Sequence, residues 1–482
     1  MALEFIENRT FDEIRIGDTA SIVRTLKPED IQLFAVMSGD INPAHVDPEY
    51  ARSTMFHEVI AHGMWGGALI STVLGTLYPG PGTIYINQTL KFMRPVTLGD
   101  IVTVSVTVTA KFEQNHHVTL ECKCVNQDGR TVIAGSAEVI APTEKVRRPK
   151  VDLPEVHISD RKARYAHLLA RAEGLAPVPM AFVHPCDAAV LRAALAAAAA
   201  NLVVPILVGP VRKIRAAAEE AGADLTGLAF VDTPHSAASA ERAVAMARQG
   251  HVRALMKGSL PGRELMDAMS LPLRTARTLS HVSVLDVPTY PRLLFITDAL
   301  VNVEPRLEAK RGIVQNAIDL ARLLGIADPK VAVLASVETV TPGLRATLDA
   351  AALCKMAERG QITGGVLDGP LAFDNAVSIV AAKAKGIVSA VAGRADILVV
   401  PDVESGTMLV KQLEYLGDAI SAGVVLGAAV PVVLPSRADP IESRVASCAL
   451  AALLAHSPHL HPMLPSLPGP DVTAPMSPPA TA

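Results

Sequence analysis

Gly39-Asp40-Ile41-Asn42-Pro43-Ala44-His45-Val46-Asp47-Pro48 sets an acid and a histidine five positions apart around an Asn-Pro step. Asn-Pro initiates turns, and proline drives the residue before it out of helical geometry. The segment reads as a bend, not a helix, able to aim Asp40 and His45 into one pocket. A carboxylate and an imidazole converging on a small volume is what general acid–base chemistry on water or a carbon acid needs. In isolation the same residues also suit a polar loop whose Asp and Asn cap neighbouring helices, so the flanking sequence decides.

Upstream, Pro28-Glu29-Asp30 opens a helix with proline and acids in its first turn, where the helix dipole favours them. Ile31, Phe34, Ala35 and Met37 share one face, and the helix stops at Gly39. Asp47-Pro48 begins a short helical segment through Ala51. A third helix is expected over Gly63–Leu77, with Gly66, Gly67 and Gly75 allowing close packing. Strands follow: Ile84 to Phe92, Asp100 to Ala110, His117 to Val125 and Thr131 to Ile140 alternate at period two, and Asn126-Gln127-Asp128-Gly129 marks a hairpin. One apolar, glycine-rich helix followed by antiparallel strands is the layout of a sheet wrapped around a helix.

Residues Phe11 to Ile140 resemble a hot-dog domain of the MaoC-like, (R)-specific enoyl-CoA hydratase family. The carrying motifs are Ser38 to Pro48, then Ala61-His62-Gly63-Met64, then Phe92-Met93-Arg94-Pro95-Val96 and Gly99-Asp100. The resemblance implies that Asp40 and His45 are the catalytic pair, positioning water for addition to a trans-2-enoyl-CoA and managing the proton at C2. It also implies that the Gly63 N–H polarises the thioester carbonyl. A helix N-terminus presents unpaired donors and partial positive charge where enolate charge develops. Asn42 is expected to shape the loop, His62 to be structural and Trp65 to belong to the core.

The whole chain has 482 residues, enough for about three domains, with a net charge of -4 that offers no basic field for nucleic acid. The five cysteines include no CxxC pair, which points to a reducing cytoplasm and not to a disulfide frame. Cys122 and Cys124 alternate on a strand with no visible partners for a metal, and no metal site is expected. The first ten residues, Met-Ala-Leu-Glu-Phe-Ile-Glu-Asn-Arg-Thr, place acids where a signal peptide would have a basic then apolar run, and no signal peptide is expected in them. The most apolar stretch, Ala188 to Val208, is interrupted by Arg192, Asn201 and Pro205 and reads as helix plus strand, not a membrane span.

Residues 143–157 are charged, proline-bearing and unpatterned, and are expected to be a linker; the basic run Lys145 to Lys150 reads as a solvated stretch, although it could touch a CoA phosphate. One helix is expected over about Ile158 to Glu173. From Met180 the chain alternates β and α, which argues for a parallel-type sheet with helices on both faces. Ligands in such folds sit at the carboxyl ends of strands. Lys257-Gly258-Ser259, at the end of an apolar strand, is a candidate anion loop, although no nucleotide phosphate-binding GxxxxGK[ST] is present. After His456 the His-, Pro- and Ser-rich run is expected to be a disordered tail.

The segment from Ile158 to His456 resembles the phosphate acetyltransferase and phosphate butyryltransferase family. The motifs are Gln315-Asn316-Ala317, Leu353-Cys354-Lys355-Met356, Asp368 to Asn375, Val400-Pro401-Asp402 and Ser436-Arg437-Ala438-Asp439. The family implies a two-lobed α/β fold with a cleft active site that moves an acyl group between CoA and inorganic phosphate without a metal. It assigns catalysis to Ser436, which would orient the CoA sulfur, and Arg437, whose guanidinium pairs with an oxyanion. Asp374 and Asn375, with Lys257, Gly258 and Ser259, are the expected CoA-binding groups. Some members carry a catalytic Asp seven positions after the Ser; here Ser443 stands there, leaving Asp439 and Glu442 as substitute bases. Arg274 and Arg277 fall in the region where acetyl-specific members bind phosphate.

These readings divide the chain into a hot-dog hydratase-like domain (1–142), a linker (143–157), a phosphate acyltransferase domain (158–456) and a tail (457–482). The expected protein is a bifunctional cytoplasmic enzyme and a homo-oligomer. Its substrates would be CoA thioesters and phosphate; no tightly bound cofactor, nucleic acid or membrane is expected. A second reading keeps only the acyltransferase active, with the hot-dog domain as an acyl-CoA-binding or assembly module.

Overall fold

A computed structural model describes residues 4–151, 156, 166 and 169–457. The chain divides into two compact units, Met1–Ser159 and Asp160–Ala482. Most of the helix expected over 158–173, and the tail from residue 458, lie outside the described residues. Among the described residues no helix is long and apolar enough to cross a membrane.

In the first unit the strands are β1 (Phe5–Glu7), β2 (Thr19–Thr25), β3 (Ile84–Phe92), β4 (Ile101–Phe112), β5 (His117–Val125), β6 (Thr131–Ile140) and β7 (Arg147–Pro149). Five of them form an antiparallel sheet in the order β2-β4-β5-β6-β3. Alternation decides which face is inside: Val102, Val104, Val106 and Val108 of β4 are buried, and the intervening Thr and Ser side chains face outward or are half-buried. After α1 (Pro28–Ser38), α2 (Pro43–Val46) and α3 (Pro48–Ser53), α4 (Gly63–Thr72) packs against that face, continued by a wider π turn over Val73–Leu77. Trp65, Ile70, Val73 and Leu74 enter one core with the β4 and β5 valines and with Cys122 and Cys124. Gly66 permits the close approach, since a Cβ there would lie 2.3 Å from the Ile133 side chain.

Two expectations are corrected in this unit. The stretch from residue 143 is not a plain linker: β7 pairs antiparallel with β1, and Lys145 bridges to Glu7 and Glu13. The charged side chains hid a strand whose pairing is carried by backbone. The Asp40–His45 bend also contains one turn of helix, α2 (Pro43–Val46), because Pro43 can occupy a first helical position and the Asn42 side chain accepts the Ala44 N–H at 3.1 Å.

The second unit contains β8 (Val178–Val183), β9 (Val203–Gly209), β10 (Ala229–Asp232), β11 (Ala254–Lys257), β12 (Ser280–Asp286) and β13 (Leu294–Thr297). It continues with β14 (Lys330–Leu334), β15 (Val366–Leu371), β16 (Ile397–Val399), β17 (Ile420–Leu426) and β18 (Val432–Val433). They form one sheet in the order β10-β9-β8-β11-β18-β17-β12-β13-β16-β14-β15. The block from β10 to β18 is parallel, and so is the block from β13 to β15. Antiparallel pairings of β17 with β18 and β12, and of β12 with β13, join the two blocks. The sheet is therefore mixed and mostly parallel, with two parallel blocks where the sequence suggests two lobes. Strands such as β8 and β11 are buried on both faces, and helices cover them, among them Ala188–Ala199 and Ile441–Ala455.

Candidate functional sites

Three short elements build the first unit's site. Gly39, in the left-handed conformation, ends α1 (Pro28–Ser38) and turns the chain towards Asp40. The Asp40 carboxylate accepts the Asn42 N–H at 3.2 Å, which fixes the loop entering α2. His45, on α2, donates Nδ1–H to the Ile60 carbonyl at 2.9 Å. That bond sets the tautomer, so neutral His45 keeps its lone pair on Nε2.

His62 precedes Gly63, the first residue of α4. It donates Nε2–H to the Asp40 carbonyl at 3.0 Å and packs its ring 4.1 Å from His45 and 4.8 Å from Phe34. Donor atoms of Asp40, His45 and His62 all lie within 4.8 Å of one another. The structure thus brings together Asp40 and His45, as the sequence predicts, and adds His62 as the strut between the acid-bearing loop and the helix start. Three such donors also meet the ligand count of a small metal site.

The adjoining cavity, about 290 Å³, is lined by His45, His62, Gly63, Trp65, Phe92 and Arg94, among others. Trp65 is buried in the core, as expected, and also lines the cavity. The Gly63 N–H has no partner within the helix, as the first turn's donors do not. A Cβ at Gly63 would sit 3.0 Å from the Phe92 ring, so glycine leaves room beside that N–H.

The second unit's site is a cavity of about 710 Å³ between the β11 and β18 ends, β12, β17 and the helix Val403–Tyr415. Ser436 and Asp439 line it, and Ser436 N donates to Asp439 Oδ2 at 2.8 Å. Asp439 also pairs with Lys411 at 3.1 Å. The loop is pinned from behind by Arg444, which is buried and donates to the carbonyls of Ser436, Arg437 and Asp439 at 2.9, 3.2 and 3.1 Å. Arg437 is exposed and does not itself line the cavity, although Ser436 before it does. Ser443 lines the cavity and Glu442 is exposed outside it, so of the two substitute acids only Asp439 faces the site.

Lys257 also lines this cavity and is buried. Burial, then repulsion from Arg444 and Arg437, lowers its pKa, which marks a concentration of positive charge able to hold an anion. The rest of the expected anion loop does not serve. Gly258 N and Ser259 N donate to the Val183 and His184 carbonyls at 2.8 and 2.9 Å, and the Ser259 hydroxyl donates to Asp187. A tight turn consumes the amides that an anion would need; a Cβ at Gly258 would fall 2.5 Å from the His184 oxygen.

Asp374 and Asn375 are a second correction. They follow β15, six strands from β18 in the sheet, roughly 29 Å at the usual strand spacing. Neither lines the Ser436 cavity, and Asn375 is buried with its amide near Glu338. Arg277 is held by Asn316 and Asp319, so it is not free for phosphate.

Sequence reasoning passed over His281, Arg444 and Lys411. For His281 a signal existed: in Ser280–Asp286, polar residues 281 and 283 alternate with Val282 and Val284, the pattern of a strand with one face on a polar cavity.

A profile described as "Phosphate acetyl/butaryl transferase" matches residues 238–452, and one described as "MaoC like domain" matches residues 15–127. The chain is 56% identical over 296 residues to a phosphate acetyltransferase of Rhizobium meliloti, covering 61% of this chain and 94% of that one. It is 38% identical over 294 residues to a phosphate butyryltransferase of Clostridium beijerinckii, covering 60% and 97%. A branched-chain phosphotransacylase from Enterococcus faecalis V583 superposes with a TM-score of 0.52 at 27% identity, covering 58% of this chain and 99% of that one. The chain thus belongs to the phosphate acetyl/butyryl transferase family and carries a MaoC-like hot-dog domain ahead of that module.

Proposed function

We propose that the second unit transfers an acyl group between CoA and inorganic phosphate in the Ser436 cavity. One observation carries the reading: the buried Lys257 ammonium faces the same cavity as Ser436 and Asp439, beside Arg437, in a module 56% identical to a phosphate acetyltransferase. In the direction that makes acyl phosphate, a phosphate oxygen attacks the thioester carbonyl, the C–S bond breaks and CoA leaves as the thiolate. Lys257 and Arg437 balance the charge of the phosphate, and Ser436 orients the sulfur. The test offers the purified chain inorganic phosphate with acyl-CoAs of increasing length and traps acyl phosphate with hydroxylamine. Product with a short acyl-CoA is expected, and the series reads chain preference; no product with any of them overturns the reading.

The first unit, in the same proposal, hydrates a short trans-2-enoyl-CoA to the 3-hydroxyacyl-CoA. His45 Nε2 and the Asp40 carboxylate share the proton traffic of water addition, and the Gly63 N–H stabilises the enolate oxygen. Its support is the convergence of Asp40 and His45 beside a cavity that the Gly63 end of α4 lines. The edge strand β3 exposes Ile84, Tyr85 and Ile86, a surface suited to pairing between copies of the chain. The substrates are CoA thioesters and phosphate, with no resident cofactor invoked, and the five free cysteines suit a reducing cytoplasm.

A further inference from the structure

We propose that His281 is the base that takes the proton of the CoA thiol when the second unit forms a thioester from an acyl phosphate. The inference rests on the acyl-transfer reading above and assigns a group that this reading leaves open. Where some relatives are expected to carry an acid, this chain has Ser443, whose hydroxyl is far too weakly basic to take a thiol proton at neutral pH.

The titratable side chains lining the cavity narrow the choice. Asp439 accepts the Ser436 N–H and is paired with Lys411. Glu414 is paired with Lys411 and accepts the Ser421 hydroxyl. Asp267 is ion-paired with Arg263, both well exposed. Lys257 donates to the Gly258 and Leu260 carbonyls, and Lys411 is held charged by Glu414 and Asp439. Among the described residues lining the cavity, His281 alone is an acid–base group whose ring makes no hydrogen bond or ion pair.

Its placement suits the role. His281 is 7% exposed, and its Nδ1 is buried without a partner. The other nitrogen, Nε2, lies over Gly423, where a Cβ would approach it to 2.7 Å. Gly423 itself lines the cavity, and its N–H is tied to the Ser447 hydroxyl at 2.9 Å, one turn from Ser443. The glycine thus leaves beside Nε2 the space that a side chain would fill, and both His281 and Gly423 line the cavity.

The charged groups that act on the ring are Asp298, after β13, and Asp439, after β18; both favour the imidazolium, but burial outweighs them and holds the pKa below the usual histidine range. The Asp298 carboxylate is itself occupied by the N–H groups of Leu300 and Val301. At neutral pH the imidazole is therefore neutral, and its lone pair is available. In the step, the thiol proton passes to the imidazole, directly or through one water. Sulfur bonds to the acyl carbon, the carbon–oxygen bond to phosphate breaks, and phosphate leaves with the bond's electron pair. The imidazolium returns its proton to phosphate or water.

The experiment measures acyl-CoA formation from acetyl phosphate and CoA with the full chain, for wild type, His281→Gln and Gly423→Ala. His281→Gln is expected to lower kcat about 10²- to 10⁴-fold with KM for CoA little changed, to lose the acidic limb of the wild-type pH profile, and to recover part of its rate with added imidazole. Gly423→Ala is expected to lower kcat as well by displacing the ring, which decides the matter should His281→Gln fail to fold. A wild-type chain without acyl transfer would sink the functional reading; an active wild type with both variants within threefold of its kcat would overturn the role of His281.

Discussion

His45 commits Nδ1 to the Ile60 carbonyl, and His62 commits Nε2 to the Asp40 carbonyl, so two adjacent imidazoles have opposite free nitrogens. Only His45 is left with Nε2 free to exchange a proton in the neutral form. His62 spends its bond on holding the acid's backbone, and its Nδ1 is buried without a partner. Asp40→Asn tests the division. The amide oxygen can still accept the Asn42 N–H, so the loop should hold, but no carboxylate remains to carry a proton. Hydration of crotonyl-CoA is expected to fall about 10²- to 10⁴-fold with an unchanged circular dichroism spectrum; an unchanged rate would remove Asp40 from the chemistry. The Asp40–His45 pair was legible because its geometry is local to one turn. The structural role of His62 was legible as well, but its partner was not, since the bond joins residues 22 positions apart through a backbone oxygen. The same holds for Gly258 and Ser259: their types suit an anion loop, but only the fold reveals that their N–H groups already have acceptors.

The sheet of the first unit depends on one position where no side chain fits. Gly135, on β6, pairs with Leu90 of β3, and a Cβ there would lie 1.9 Å from the Thr89 carbonyl oxygen. Backbone cannot swing aside as a flexible side chain does, so Gly135→Ala must push β3 away from β6. A loss of about 1–3 kcal/mol is expected, the usual range for overpacking. Trp65 is the chain's only tryptophan and is buried on α4 against this sheet, so its fluorescence reports the unit's unfolding. The urea midpoint by that signal should fall; an unchanged midpoint would mean that β3 relaxes without cost. Elements of this kind were readable where period-two alternation is strong, as in β4. Alternation marks a strand but does not say which way its neighbours run. So β12 reads as a strand but not as one antiparallel to both its neighbours inside a parallel-type sheet, and β7 is hidden among charges because its pairing is carried by backbone.

At the scale of the molecule, the proposed division into two activities rests on separate cores. The first unit's core gathers α4 and its five-stranded sheet, and the second unit's cores lie along the eleven-stranded sheet. The two proposed sites use no residue in common. Asp40, His45 and Gly63 belong to the first unit, whereas Lys257, His281, Ser436 and Arg437 belong to the second. Single substitutions should therefore separate the activities within one intact chain. Ser436→Ala removes the hydroxyl proposed to orient the CoA sulfur and is expected to lower acyl transfer about 10²-fold, in the range for loss of one preorganised donor. Enoyl-CoA hydration by the same protein should stay within about twofold of wild type, because no group in the first unit's site has changed. Asp40→Asn should give the reverse pattern. If Ser436→Ala also depressed hydration, the two sites would be coupled through the chain, and the picture of two self-sufficient catalytic units would have to be given up. If Asp40→Asn left hydration intact while acyl transfer fell, the first unit would be acting as an acyl-CoA-binding module for the second.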